Sequence, residues 1–155
     1  MLTYNFRKGT FMSTMTLAKL SEELSDIDFG LLSTHAEDGT IASRPMSNNG
    51  DVEYDGDSYY YTYEQSRTIS DIKRESKVSL SFQANTSLLG KPGIFITVQG
   101  HAELIHDRDE LQAHWSKGLD RWFPQGVDTP GIVLIKVVAS RIHFWDGEED
   151  GEIVL

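Results

Sequence analysis

The sequence predicts a mainly β domain, an antiparallel β-barrel with a few short helices at its periphery. Three observations lead there. Apolar and polar residues alternate over short runs, as in Val78 to Phe82 and again around Ile94, Ile96 and Val98. Turn chemistry at Asp38-Gly39 and Asp55-Gly56 separates consecutive runs. Helical spacing appears only in short stretches between them, which fits peripheral helices rather than a bundle or a parallel sheet.

Taken in order, residues 1–11 read as an appended, frayed segment, with Met12 or Met15 as alternative starts. Leu17, Leu20 and Leu24 then recur at helical spacing, so Thr16 to Leu24 is a short amphipathic helix. Phe29 to Ala36 is a strand, and Ile41 to Ser47 is its hairpin partner across Glu37-Asp38-Gly39-Thr40. Pro45 requires a place in that partner where a missing N–H is tolerated. Ser58 to Tyr63 follows, its tyrosines suiting a pleated surface. Ile69 and Ile72 make Arg67 to Glu75 a short helix, and Val78 to Phe82 is a half-buried strand. Ala84 to Gly93 is a loop before a longer strand from Ile94. Asp107 to Lys117 is helical, with Leu111 and Trp115 on one face as core, and Leu119 to Pro130 is a loop around Trp122-Phe123-Pro124. The nearly continuous apolar run Ile132 to Val138 and the alternating Arg141 to Trp145 complete about six strands.

The 155 residues are one domain's worth, with no repeat or composition break: a core unit at residues 12–147 and an acidic tail at 148–155. A domain of this size buries about 68–70% of its unfolded surface, so it needs no staple. With no cysteine, disulfides, thiolate zinc sites and cysteine nucleophiles are excluded. The formal charge is −10, and Asp146, Glu148, Glu149, Asp150 and Glu152 all fall in the last ten residues. Such a chain has no basic stripe with which to displace phosphate counterions, so nucleic acid is not the expected partner. A small phosphate remains open, because one arginine and a few oriented amides suffice locally. There is no apolar run of the roughly 18–20 residues a membrane helix needs, and the first residues lack a secretory pattern. A cytoplasmic protein without membrane contact is the expectation.

Two segments could carry chemistry. In Tyr61-Thr62-Tyr63-Glu64-Gln65-Ser66-Arg67 a strand ends, a turn follows, and Ser66 stands where it can cap a helix starting at Arg67. Free amides there carry partial positive charge, and the hydroxyl and guanidinium complete an anion site. An ordinary N-cap with a surface arginine explains the same letters. In Ser43-Arg44-Pro45-Met46, Arg44 and Met46 share a face, and a buried arginine would need a paired anion. An edge-strand arginine reaching solvent is the alternative. The five histidines show neither an i,i+4 pair nor a His-Glu-x-x-His arrangement, so no metal is expected. Asp146 to Gly151 imitates the start of a calcium loop but lacks its twelfth-position Glu. No Gly-x-Ser-x-Gly elbow occurs.

Together these segments resemble the FMN-binding split-barrel proteins related to pyridoxamine 5′-phosphate oxidase, above all their general stress protein branch. The resemblance runs from about Leu17 to Gly147. It is carried by Asp38-Gly39 with Ser43-Arg44-Pro45-Met46, by Asp55-Gly56-Asp57 with Tyr60-Tyr61-Thr62, and by Ser66-Arg67. Further on come Lys77 to Phe82, Val98-Gln99-Gly100-His101-Ala102-Glu103, Trp122-Phe123-Pro124 with Gly126, and Arg141-Ile142-His143-Phe144-Trp145. It implies a six-stranded split barrel that forms a homodimer, with FMN, or FAD in its place, held at the interface. By position, Arg44 would meet the phosphate or ribityl chain, and Pro45 and Met46 would line the flavin. Tyr61 and Thr62 would offer backbone and hydroxyl, and Ser66 and Arg67 would hold the phosphate. Trp145 would come from the other subunit, with Phe95, Trp122 and Phe123 as further walls. No residue stands out as catalytic.

The chain departs from that family at two points. Thr68 stands where a lysine commonly follows the phosphate-binding serine, which removes one cation. Beyond Trp145, where the oxidase carries Arg and His for its vitamin substrate, the chain is acidic, so pyridoxamine phosphate oxidation is not expected. The resemblance implies a stress-type flavoprotein with redox activity, drawing electrons from NAD(P)H or another small donor. A non-catalytic flavin-binding or sensing module is the competing reading, and a barrel holding haem or a deazaflavin is a third.

Overall fold

A computed structural model describes residues 14–48, 50–147 and 149–155; the segment read as residues 1–11 lies outside the described residues. Helix α1, Leu17–Ser25, starts where Thr16 accepts the Lys19 amide on its hydroxyl at 3.2 Å, and it buries Leu20 and Leu24. Strands β1, Phe29–His35, and β2, Ile41–Ser47, form the expected hairpin. Its turn closes on Gly39 at φ 81° and on Asp38, whose carboxylate accepts the amide and hydroxyl of Thr40. Then come β3, Asp57–Tyr63; α2, Arg67–Arg74; β4, Lys77–Gln83; and β5, Phe95–Ile105. Helix α3, Arg108–Ala113, precedes β6, Ile132–Asp146, and β7, Glu149–Val154.

All pairings are antiparallel, in the order β2-β1-β4-β5-β6-β3, with β7 added against β6. The expected barrel architecture is therefore present, with a seventh strand beside the six on the main path. Strand β6 organises it. Its first half, Ile132 to Val138, pairs with β3, and its second half, Arg141 to Asp146, pairs with β7. Between the halves the register against β5 jumps: Gln99 faces Arg141 and Gly100 faces Ala139, leaving Ser140 as a bulge. Thus the runs Ile132 to Val138 and Arg141 to Trp145 are one strand, not two.

The apolar run in β6 has a physical cause. Val133, Ile135 and Val137 point into the barrel with Leu32, Leu80, Ile96 and Phe144, while Ile132 and Leu134 meet a smaller outer core. That outer core holds Tyr61, Leu111 and Phe123, with Trp115 packed on it. Both faces of this half-strand are covered, so alternation disappears. The helix expected to reach Lys117 ends at Ala113, and short 3₁₀ turns at Lys117–Arg121 and Gly126–Asp128 stiffen the segment read as a loop.

The acidic tail is a correction. Residues 149–154 form a strand because the second half of β6 would otherwise leave its edge open, and Ile153 packs against the core opposite Ile142. Among the described residues no helix is long and apolar enough to cross a membrane.

Candidate functional site

Strands β2 and β3 are the two ends of the main path, and they do not pair with each other. Pro45 fits this arrangement, since β2 bonds only to β1 and its outer edge needs no N–H. The seam between them opens into a cleft of about 760 Å³, lined also by the 50–54 connection and by the segment after α3. That volume lies within the range of small-molecule and cofactor sites. The cleft brings together Arg44, Pro45, Met46, Tyr61, Thr62, Trp122 and Phe123 from the candidates the sequence suggests. Ser66, Arg67, Phe95 and Trp145 are not part of its wall.

Arg44 is held within the fold. Its guanidinium donates to the Leu32 carbonyl at 3.2 Å and to the Thr34 hydroxyl at 2.7 Å, and it pairs with Asp71 of α2 at 3.3 Å. The anion that a buried arginine requires is thus Asp71, 3% exposed, which also accepts from Thr34 and from Arg74. Burial alone would push the Asp71 carboxyl up, but the Thr34 and Arg74 hydrogen bonds and the two guanidinium charges outweigh it and hold it below the usual range. Arg44 therefore tethers α2 to the β1–β2 hairpin while its side chain lines the cleft.

At the start of α2, the Ser66 hydroxyl accepts the Ile69 amide at 3.4 Å and the Ser66 carbonyl accepts the Ser70 amide at 3.3 Å. The amides of Arg67 and Thr68 have no hydrogen-bond acceptor among the described residues. Arg67 is exposed and forms no ion pair with them. Thr68 is buried and reaches the cleft wall, which brings this helix start to the cleft's edge. The serine is a true N-cap, and the anion-binding potential lies in the amides and the arginine beside it.

Tyr61 lies in the cleft wall, but its hydroxyl donates to the Leu111 carbonyl at 2.6 Å beneath the rings of Trp115 and Phe123. Phe95 and Trp145 are cross-strand partners on the outer barrel face, 41% and 37% exposed. His143 stacks on Trp145 at 4.3 Å, and Glu152 of β7 binds Arg141 and lies 3.6 Å from His143. The same face exposes Phe29, Leu31 and Ile41. Among the described residues no group of three potential metal ligands occurs.

Sequence reasoning missed several residues of this region. The signal for Asp71 is its place on the face of α2 that carries Ile69 and Ile72, and the structure buries it with them; its pairing with Arg44 has no local signal. Tyr54 and Tyr60 also line the cleft, with buried hydroxyls that lack a hydrogen-bond partner among the described residues. Burial pushes both phenols far above their usual range, so they stay neutral. Nothing in the tyrosine run of β3 distinguishes Tyr60, and Tyr54 stands alone in the connection before that strand with no local pattern to mark it.

Comparison with known proteins agrees with this architecture. The family model described as pyridoxamine 5′-phosphate oxidase like matches residues 15–155. A solved structure from Clostridium acetobutylicum, of a protein related to general stress protein 26, superposes with a TM-score of 0.75 at 18% identity, covering 90% of this chain and 94% of that one. The general stress FMN/FAD binding protein from Xanthomonas citri gives 0.68 at 21% identity, covering 86% and 89%. Protein bli-3 of Neurospora crassa is 24% identical over 81% of this chain, which spans 62% of the length of that relative.

Proposed function

The chain belongs to the pyridoxamine 5′-phosphate oxidase-like family, and from that premise we propose that it is a general-stress-type flavoprotein that binds FMN, or FAD, in the cleft at the split seam. The observation that carries this is the seam itself. It sets Arg44, Pro45 and Met46 of β2 against Tyr61 and Thr62 of β3, in a cleft of suitable volume with the start of α2 at its edge. The flavin class is supported by the description of the Xanthomonas citri neighbour as FMN/FAD binding.

The residues present suit such a ligand. Pro45, Met46 and the Trp122-Phe123 segment offer apolar walls to a flat ring. Arg67 and the free amides of Arg67 and Thr68, beside Ser66, offer charge-assisted hydrogen bonds to a phosphate. Thr68 supplies no cation, so phosphate binding rests on Arg67 and the helix start. When bound, the flavin supplies hydride and electron transfer, with NAD(P)H or another small molecule as donor; the protein orients it and limits water.

The exposed outer face of Phe29, Leu31, Ile41, Phe95 and Trp145 supports a homodimer in which the partner subunit's Trp145 and Phe95 complete the cleft. Glu152 engages Arg141 and His143 beside Trp145. That acidic, self-paired edge favours a function other than oxidation of pyridoxamine phosphate. A cytoplasmic location belongs to the same reading.

The test is the visible absorption spectrum of protein purified without added cofactor, followed by denaturation to release the ligand. A yellow protein releasing FMN or FAD is the expected result; a colourless one that ignores added flavin refutes it. Anaerobic NADH or NADPH then separates an enzyme, whose flavin bleaches, from a binding module, whose flavin does not.

A further inference from the structure

We infer that Tyr61 is the latch of a strap, residues 107–128, which forms one wall of the cleft and lifts as a unit to exchange the ligand. This rests on the flavin reading of the cleft and deepens it, since the strap governs access to that site. The strap runs between β5 and β6, and from His114 to Phe123 it lines the cleft. The facing walls, β2 and β3, are held in the sheet by ladder hydrogen bonds. The strap is not: its backbone hydrogen bonds all close locally along the chain, as from Leu111 to Asp107 and from Phe123 to Leu119. Among the described residues one hydrogen bond crosses from it to the barrel, donated by the Tyr61 hydroxyl to the Leu111 carbonyl at 2.6 Å.

Two pairs make the strap a unit. Arg108 meets Asp128 at 2.9 Å, which joins its ends, and the Trp115 indole N–H donates to Asp120 at 3.0 Å inside it. Apart from the latch, the strap lies on the barrel through apolar and ring contacts. His114 stacks on Tyr59 at 3.8 Å, Trp115 stands edge-on to Tyr61 at 4.9 Å, and Phe123 meets Tyr63 at 5.4 Å. Such burial is non-directional, so the position of the strap is fixed by the one directional bond. Burial pushes the Tyr61 phenol above its usual range, so it stays protonated and able to donate. Breaking the bond leaves the Leu111 carbonyl without a donor until the strap lifts and water reaches it, which couples the bond to the opening. Tyr61 is thus a positioning residue whose hydroxyl engages the wall rather than the ligand.

Amide hydrogen exchange, read by mass spectrometry on the flavin-free protein, is the first measurement. In the wild-type protein the amides of residues 111–123 should exchange about tenfold faster, or more, than those of the β3–β6 ladder. Equal protection overturns the inference. Tyr61→Phe keeps the ring and removes the hydroxyl. Exchange across the strap should then rise about tenfold, the scale of one lost hydrogen bond, while the β3–β6 ladder stays as it was. Stopped-flow flavin fluorescence follows FMN in the same variant. A latch gates entry and exit alike, so association and dissociation should both quicken about tenfold. Faster dissociation alone would make Tyr61 a ligand contact and overturn the latch, as would ladder amides that loosen together with the strap. Failure of the wild-type protein to bind FMN refutes the proposed function, while exchange in the flavin-free protein still decides the latch.

Discussion

Arg44 and Asp71 meet at 3.3 Å across the joint between β2 and α2, and Thr34 of β1 bonds to both of them. Three elements are locked by one buried carboxylate. The same lock sets where the start of α2 stands relative to the seam, so stability and ligand geometry share a part.

This arrangement predicts an acid-sensitive fold. The folded-state Asp71 value is depressed below the ordinary 3.8, so its stabilisation is present above that pH and is lost as pH falls through the lower folded value. Asp71→Asn should cost about 3 kcal/mol near neutrality, because Arg44 loses its counter-charge. It should also flatten the loss of stability below the ordinary value. Urea melts over a pH series test both points; an unchanged acid limb in the variant would remove Asp71 from the account.

The phosphate assignment predicts an order between two arginines. Arg67 forms no ion pair among the described residues and stands at the start of α2, whereas Arg141 is bound to Glu152 between β6 and β7. Arg67→Ala should weaken FMN binding about tenfold, roughly 1.4 kcal/mol. Arg141→Ala should leave it within about twofold in direct titration. Equal losses would place the phosphate elsewhere.

Trp145 connects binding with assembly. It is exposed beside Phe95 on the face proposed to meet a second copy. Trp145→Ala should shift the dimer equilibrium toward monomer in sedimentation and weaken FMN binding in parallel. A normal dimer with normal flavin affinity would contradict a wall shared across the interface.

How far the sequence shows these features depends on whether the information is local. The β1–β2 turn at Asp38-Gly39, the Thr16 and Ser66 caps, and the strand spacing are written in neighbouring letters. Long-range pairing is not. The sequence offers two strands where β6 is one, because the bulge at Ser140 is defined by its partner Gln99-Gly100. It offers a tail where β7 forms, because the open edge that recruits β7 belongs to β6. At the site, the need of Arg44 for an anion is legible, but the choice of Asp71 depends on how α2 lies on β1.

The bulge also supplies a prediction about architecture. A Cβ added at Gly100 would lie 2.1 Å from the Val138 carbonyl oxygen, a backbone atom that cannot swing aside. The constraint is space rather than a left-handed φ, since Gly100 is not among the positive-φ glycines. At this point β6 divides between the half that carries β3, a wall of the cleft, and the half that carries Trp145. Gly100→Ala must therefore push the two strands apart where their register shifts, at a cost of about 3 kcal/mol. Gly118→Ala is the matched control, with nothing within 4 Å of its added Cβ and no positive φ, and it should change stability by less than about 0.5 kcal/mol. Thermal melts of the two variants measure that contrast. If Gly100→Ala melts like Gly118→Ala, the close approach at the bulge does not fix the bend that relates the cleft to the Trp145 face.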